Sequence, residues 1–422
     1  MRNRGREGGA ALCPQPPSGL RRAVPKAPSG RLTGSFGADA SRRMRRCGDA
    51  PFVREVSSRR DLKQFIRFPF SLYRGHPCWI PPLVIDELHT LAPDKNPAFE
   101  HCDARYWLAY KDGKIAGRIA GIINRRYIEA WGNNYARFGW VDFVDDAEIA
   151  SLLFRTFEQW AMEEGMAGVH GPLGFTDMDH EGMLVEGFDE LGTAATIYNH
   201  PYYPRHLESL GYRKDVDWLE FEIRVPTEIP DKAERVERIV KQKLGVRVLE
   251  AENAKQILPY ARELFDVLNQ AFTPLYAFVP LTDRQVNTYV RQYFSFIKPD
   301  YTKILLDADG RVAGFVIGMP SLSRALQKAA GRLLPFGLVH LLAAMRKPKS
   351  IDLYLGAIRP DLQGKGADAL LMTEMTRSAI ANGIVSAESN IELEDNVRVQ
   401  GHWKYYETRQ HKRRRCYIKK WA

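Results

Sequence analysis

Cysteine is scarce in this chain: five in 422 residues, at positions 13, 47, 78, 102 and 416. They are odd in number and widely scattered, with no C-x-x-C pair and no Cys/His cluster at metal-ligand spacing. That excludes a zinc-stapled or disulfide-framed fold and leaves reduced, mostly structural thiols, which fits a cytoplasmic protein. No metal is expected. The first 30 residues lack an apolar core, so no signal peptide is expected there. No Cys or Ser sits in a nucleophile motif, which points away from a covalent acyl-enzyme. Charge of one sign is also missing where it would matter. The net charge is +10, but residues 1–50 carry 11 Lys and Arg against Glu7, Asp39 and Asp49, leaving about +2 for the rest. A field that steers onto a phosphate backbone is therefore not expected, despite the basic stretch "HKRRRCYIKK" near the end. Residues 1–50, Arg-rich with Pro and Gly, are expected to form a disordered basic tail, with translation starting as late as Met44.

What is present begins near Pro51. "SRRDLKQFIRFPFSLYRG" has helical apolar spacing. "RYWLAYKDGKIAGRIAGIIN" is two apolar runs around Asp112-Gly113, a hairpin signal. A strand follows in "ARFGWVDFVDD", then an amphipathic helix capped near Asp146 and stopped at Gly165. "AGVHGPLGF" reads as a strand ending in a turn, and "DVDWLEFEIRVP" as a closing strand. A charged helix, "PDKAERVERIVKQKLG", links to a second unit with the same order. Its hairpin lies around Asp309-Gly310, its strand in "SIDLYLGAIRP", its helix in "GADALLMTEMTRSAIANG", and further strands in "SAESNIELED" and "KRRRCYIKKW". This repetition predicts two copies of one α/β domain, 51–225 and 246–422, joined by a linker helix over 226–245.

The second unit contains "IRPDLQGKGADALL", in which Gly364 and Gly366 are poor helix residues at the mouth of a helix. The backbone N–H groups of Gln363 to Ala367 can point at an anion, the helix dipole favours it, and Lys365 and Arg359 can add charge. This strand–loop–helix, with Asn396 and then Trp403 seven residues on, resembles the GNAT acyltransferase superfamily. Gln363, Gly366 and Asp368 occupy its pyrophosphate signature, Asp368 departing from the Gly or Ala expected there. The whole chain resembles a tandem GNAT-like group that includes bacterial ceramide synthases. The resemblance implies two tandem GNAT-like α/β domains with mixed central sheets flanked by helices, and acyl-CoA as donor. It implies cofactor contacts at Ile358, Arg359, Gln363, Gly364, Lys365, Gly366, Ala367 and Asn396. The partners would be an acyl thioester and an amine, with a sphingoid base as one candidate acceptor.

Catalytic candidates lie close by. Glu388, Asn390, Glu392 and Glu394 alternate along one strand and would either line a cleft or face solvent from an edge. Glu392 is the preferred base and Glu394 the second. Tyr405 or Tyr406 would protonate the departing thiolate, or else pack in the core. In the first unit, "DMDHEG" brings Asp179, His180 and Glu181 together, as an acceptor pocket or as a solvated turn. Tyr202 would line the same pocket or pack beneath it. The insertion 324–347 holds a 13-residue apolar run flanked by basic residues. It is too short to span a bilayer, and reads as a core helix, an interfacial helix making peripheral contact with the inner face of a membrane, or a wall for an acyl chain. A non-catalytic lipid or acyl-CoA sensor is the alternative to an enzyme. Removing residues 1–43 should leave the melting temperature and activity unchanged; loss of either would show that the tail is structural.

Overall fold

The computed structural model describes residues 50–421; the expected basic tail and its start site lie outside them. Fourteen strands form one mixed sheet. They are β1 (Phe52–Glu55), β2 (Cys102–Lys111), β3 (Lys114–Asn124), β4 (Tyr135–Phe143), β5 (Gly168–Gly171), β6 (Met183–Glu186), β7 (Arg213–Arg224), β8 (Arg247–Val248), β9 (Thr302–Leu306), β10 (Val312–Pro320), β11 (Ser350–Ile358), β12 (Ser386–Glu388), β13 (Glu392–Leu393) and β14 (Thr408–Lys420).

Both hairpins form as the sequence predicts. Asp112 and Gly113 take φ of 51° and 73°, the left-handed pair that a tight two-residue loop requires between β2 and β3. Asp146 caps the helix Ala147–Glu163 by accepting from the amides of Glu148 and Ile149. Each half repeats one layering. In the first, Phe65 and Ile66 of the helix Arg59–Leu72 pack on one face of the sheet. Leu153, Phe154 and Phe157 of Ala147–Glu163 pack on the other. In the second, the helices Ala261–Phe272 and Ala367–Ala381 play the same parts. The charged helix Asp231–Leu244 connects the halves.

The last strands are exchanged. The order runs β1-β2-β3-β4-β5-β14-β7-β12-β11-β10-β9-β8, so β14 lies against β5 of the first half and β7 against β12 of the second. The two exchanged strands pair antiparallel with each other over ten residue pairs. The basic run of β14 is neutralised from within the fold. Lys412 Nζ lies 3.0 Å from Glu220 and also bonds Glu388, while Arg414 Nε meets Glu220 at 2.5 Å. Arg413 meets Glu186 at 3.1 Å and Arg415 meets Asp217 at 2.8 Å. Glu220, Lys412 and Arg414 are all at most 1% exposed. Side chains of such charge stay buried only when paired.

One expected element differs. "SAESNIELED" is not a single strand: β12 ends at Glu388 and β13 covers only Glu392–Leu393. Ser389 breaks it, its hydroxyl accepting from the Phe221 amide at 2.9 Å and donating to the Asn390 carbonyl at 2.9 Å. The expected row of four polar side chains on one face is therefore split.

Lys412→Met would remove the ammonium that Glu220 and Glu388 share at the exchanged seam, leaving Glu220 to Arg414 alone. It should destabilise folding by about 3–5 kcal/mol, read as a lowered urea midpoint. A change below about 1 kcal/mol, the worth of an exposed pair, would show that the pairing does not hold the seam.

Candidate active site

The strands β11 and β12 run parallel for three residue pairs, Ser350–Asp352 with Ser386–Glu388, and then part. Tyr354 is the extra residue of a bulge in β11, because Gly318 pairs with Leu353 and Ile317 with Leu355. Beyond it, β11 faces a gap. The Arg359 amide donates to Ala313 on the β10 side at 2.9 Å. Amides alternate in direction along a strand, so those of Ile358 and Gly356 turn toward the gap. Asn390 Nδ2 donates across it to the Tyr354 carbonyl at 3.0 Å, and Gln363 Nε2 donates to the Ile358 carbonyl at 3.1 Å.

The glycine loop closes one end. After a tight turn at Pro360–Leu362, Gly364 (φ 70°) and Gly366 (φ 91°) lead into the helix Ala367–Ala381. A side chain at 366 would be strained, and its Cβ would lie 2.8 Å from Val240 of the connecting helix. Gln363, Gly364 and Lys365 are exposed, and Ala367 is buried. Arg359 is already committed, bonding Asp307 at 2.8 Å and Asp361 at 2.7 Å. Asp368 is also committed. It accepts from the Ala369 amide at 2.9 Å and pairs with His402 at 3.1 Å, a bond that holds its carboxyl below the usual range. The residues fit an anion: two left-handed glycines, of which Gly364 is exposed, a helix N-terminus and the exposed Lys365.

Beside the loop, Glu392 accepts from Trp403 Nε1 at 2.9 and 3.1 Å. Burial pushes its pKa up to about 7, against the pull of the indole N–H and His402. The Tyr406 hydroxyl meets Thr376 at 3.1 Å and its pKa is raised by burial. Glu394 is engaged instead, by Lys214 at 2.7 Å and the Asp217 amide at 3.1 Å, which leaves it a structural anchor rather than a free base. Tyr405 is 72% exposed, its ring beneath Lys232, so it does not face this group. Asn396 caps the turn Val397–Gln400 through the Val399 amide.

The "DMDHEG" loop is half-buried or buried rather than a solvated turn. Asp179 accepts from the amides of Phe175 and Thr176 at 2.8 and 3.1 Å, and burial pushes its pKa up to about 7. Asp177 and Glu181 each keep a buried oxygen without a partner; burial and their mutual repulsion raise Glu181 well above the carboxylate range. His180 Nε2 donates to the Ala194 carbonyl at 3.1 Å, and burial keeps the ring neutral to lower pH than usual. His180 and Glu87 line a cavity of about 70 Å³ with Tyr198 and Tyr203. Tyr202 is elsewhere: its hydroxyl donates to the Phe143 carbonyl at 2.6 Å and its ring stacks on His200. The structure adds Asp352, which the sequence reading passed over. It is buried beside Glu388 with Oδ2 unpartnered, its pKa pushed up to about 7 mainly by burial. A lone acid in the apolar strand "SIDLYL" was the available signal.

Among the described residues two groups have metal-ligand spacing, and each is filled from within. Lys412 occupies the space among Glu220, Glu388 and His411, and the Tyr276 hydroxyl bonds His170, Asp215 and Cys416. Burial pushes the Cys102 thiol up to about 12, which makes it a poor nucleophile.

No family model matches the chain. It is 30% identical over 374 residues to Protein YghO of Escherichia coli (strain K12), covering 87% of this chain and 95% of that one. The chain belongs to the family of Protein YghO. It is also 29% identical over 292 residues to the bacterial ceramide synthase of Caulobacter vibrioides (strain NA1000 / CB15N), covering 68% and 74% of the two chains. Among solved structures, the GCN5-related glucosamine N-acetyltransferase region of a fungal multi-domain GH3 beta-N-acetylglucosaminidase superposes with a TM-score of 0.51 at 11% identity. That match covers 88% of this chain and 38% of the other, and supports the fold alone.

Asp368, which stands where Gly or Ala is expected, is thus engaged by His402 and not left free beside the loop. Gly366 is constrained by the connecting helix as much as by its own dihedral angles. Gly366→Ala should therefore destabilise the protein by about 1–3 kcal/mol, and Val240→Ala should recover part of the loss in a double-mutant cycle. Strict additivity of the two changes would contradict the contact.

Proposed function

We propose that the protein is an acyl-CoA-dependent N-acyltransferase that moves an acyl group, long-chain by preference, from a thioester to an amine. A sphingoid base giving a ceramide-type lipid is the acceptor we favour. The reading rests chiefly on the gap beside β11, toward which the amides of Gly356 and Ile358 turn; β13, which carries Glu392, continues the β7 edge beyond β12, and the glycine loop follows β11. The name of the Caulobacter relative supports the acceptor class. The unpartnered buried oxygens of Asp177 and Glu181 suit a cationic headgroup, since they offer carboxyls to an ammonium in a low-dielectric setting. Among the described residues no helix is long and apolar enough to cross a membrane. We assign the reaction to the cytoplasm, at the inner face of the membrane.

Gln363, Gly364, Lys365, Gly366 and Ala367 would hold the pyrophosphate of the donor, with Ile358 and Asn396 at the margin of its slot. Arg359 would act indirectly, by fixing the loop through Asp307 and Asp361. The amine nitrogen attacks the thioester carbonyl carbon, forming the C–N bond. The amides of Gly356 and Ile358 stabilise the oxyanion that results. Glu392 takes the amine proton, directly or through water. The C–S bond then breaks, and Tyr406 gives the sulfur its proton. A second reading assigns the base to Asp352, which shares a sheet face with Glu388 and has a free carboxylate oxygen.

A base must be ionised to act, so kcat/KM should rise with pH through about 7 and level off above it. Trp403→Phe removes N–H bonds that favour the ionised carboxylate, and should move that limb to higher pH. Glu392→Gln should lower kcat/KM by roughly 10²–10⁴-fold and abolish the limb. If Glu392→Gln keeps the limb and Asp352→Asn removes it, the second reading replaces the first. Lys365→Ala should weaken CoA binding several-fold at low salt and little at high salt. Affinity unmoved by that change at low salt would remove the lysine from the donor site.

A further inference from the structure

The insertion is not a core helix. It folds as two short helices, Ser323–Ala329 and Gly337–Arg346, and one side packs through Ala325, Leu326 and Leu341 against Ile80. Hydrogen bonds fix it to the first half: Gln327 Nε2 donates to the carbonyls of Pro77 and Trp79, and the Val84 amide donates to the Gly331 carbonyl. The other side is bare. Leu334 is 74% exposed and Phe336 72%, with Leu338, Val339 and Leu342 also exposed. Apolar side chains this prominent on one short segment mark an interaction surface.

The charge around this face selects its partner. Between Asp309 and Asp352 the sequence contains no acidic residue. Arg324, Lys328, Arg332, Arg346, Lys347 and Lys349 are all exposed, and none forms an ion pair among the described residues. A second copy seated on this face would bring cations against cations, because a two-fold contact repeats the same patch on both sides. A bilayer with anionic headgroups offers hydrocarbon for the apolar tip and phosphates for its rim.

We propose that the 324–349 insertion docks the protein on an anionic lipid bilayer, with Leu334, Phe336, Leu338, Val339 and Leu342 entering the interface and the six cations meeting the headgroups. The segment also adjoins the cavity that Glu87 and His180 line, since Val84, bonded to Gly331, opens the helix Val84–Leu91 that carries Glu87. The proposal stands apart from the acyl-transfer reading, because docking needs neither donor nor acceptor.

The test is co-sedimentation of the full chain, without substrates, with vesicles of phosphatidylcholine alone or with phosphatidylglycerol at one lipid in three. The protein should bind the anionic vesicles and not the neutral ones, and the bound fraction should fall as salt rises. Leu338→Glu with Leu342→Glu should reduce binding roughly tenfold or more, while melting temperature and circular dichroism stay unchanged, since both side chains are exposed. Arg346→Gln with Lys347→Gln, which leaves the apolar tip intact, should weaken binding to anionic vesicles several-fold. Wild-type protein that stays in the supernatant would overturn the proposal, as would equal binding by the double-glutamate variant. Equal binding to neutral vesicles would overturn the headgroup assignment. A wild-type dimer that the double-glutamate change dissociates would give the face to a second copy instead.

Discussion

The antiparallel pairing of β7 with β14 is the interaction on which the rest of the structure depends. Each strand closes the sheet of the other half, so neither half has a complete sheet of its own. The exchange also carries charge into the interior. Lys412 and Arg414 enter from the second half and Glu220 from the first, and each would be costly to bury alone. Breaking the seam therefore exposes unpaired edges and unpaired charges together. The same seam sets the site, because β7 gives β12 its neighbour on the side away from β11 and leaves the gap to open on the other.

Two kinds of carboxyl recur through the fold, distinguished by their partners. Glu220, Asp217 and Asp307 face guanidinium or ammonium groups and are held below the usual range. Glu392, Asp179 and Asp352 form no salt bridge among the described residues, and removal from water raises them to about 7. The first kind fastens strands. The second kind exchanges protons near neutrality, which is what removal of a proton from an amine requires. It carries a stability cost. For Glu392 the folded pKa exceeds the unfolded value of about 4.3. Its favourable contribution is therefore full below that value and is lost as pH rises through about 7. The ionised base that catalysis needs is the form the fold tolerates least.

Local signals in the sequence were legible wherever one short stretch determines the outcome. The Asp112-Gly113 turn, the Asp146 cap and the glycine loop all lie where their residues suggest. The repeat of hairpin, strand and helix was legible for the same reason, being local pattern twice over. The exchange of last strands was not, because a strand's alternation says which face is buried and not which neighbour covers its edge. Partners distant in sequence were hidden too. Glu394 is held by Lys214, Arg359 by Asp307, and Asp368 by His402. The break at Ser389 depends on the Phe221 amide, which lies 168 residues earlier. In the insertion, the apolar run alone could not distinguish core from surface; the contacts with Ile80 on one side only decide it.

The central claim is direct acyl transfer to an amine within the β11–β12 gap. The most direct test is a stoichiometric one, with a long-chain acyl-CoA and a long-chain amine mixed with the protein and quenched at intervals. Released thiol and N-acyl amine should appear one for one. Intact-mass spectra of the quenched protein should show no acyl adduct at any time. Thiol release without amide, or a protein carrying the acyl group, would contradict it.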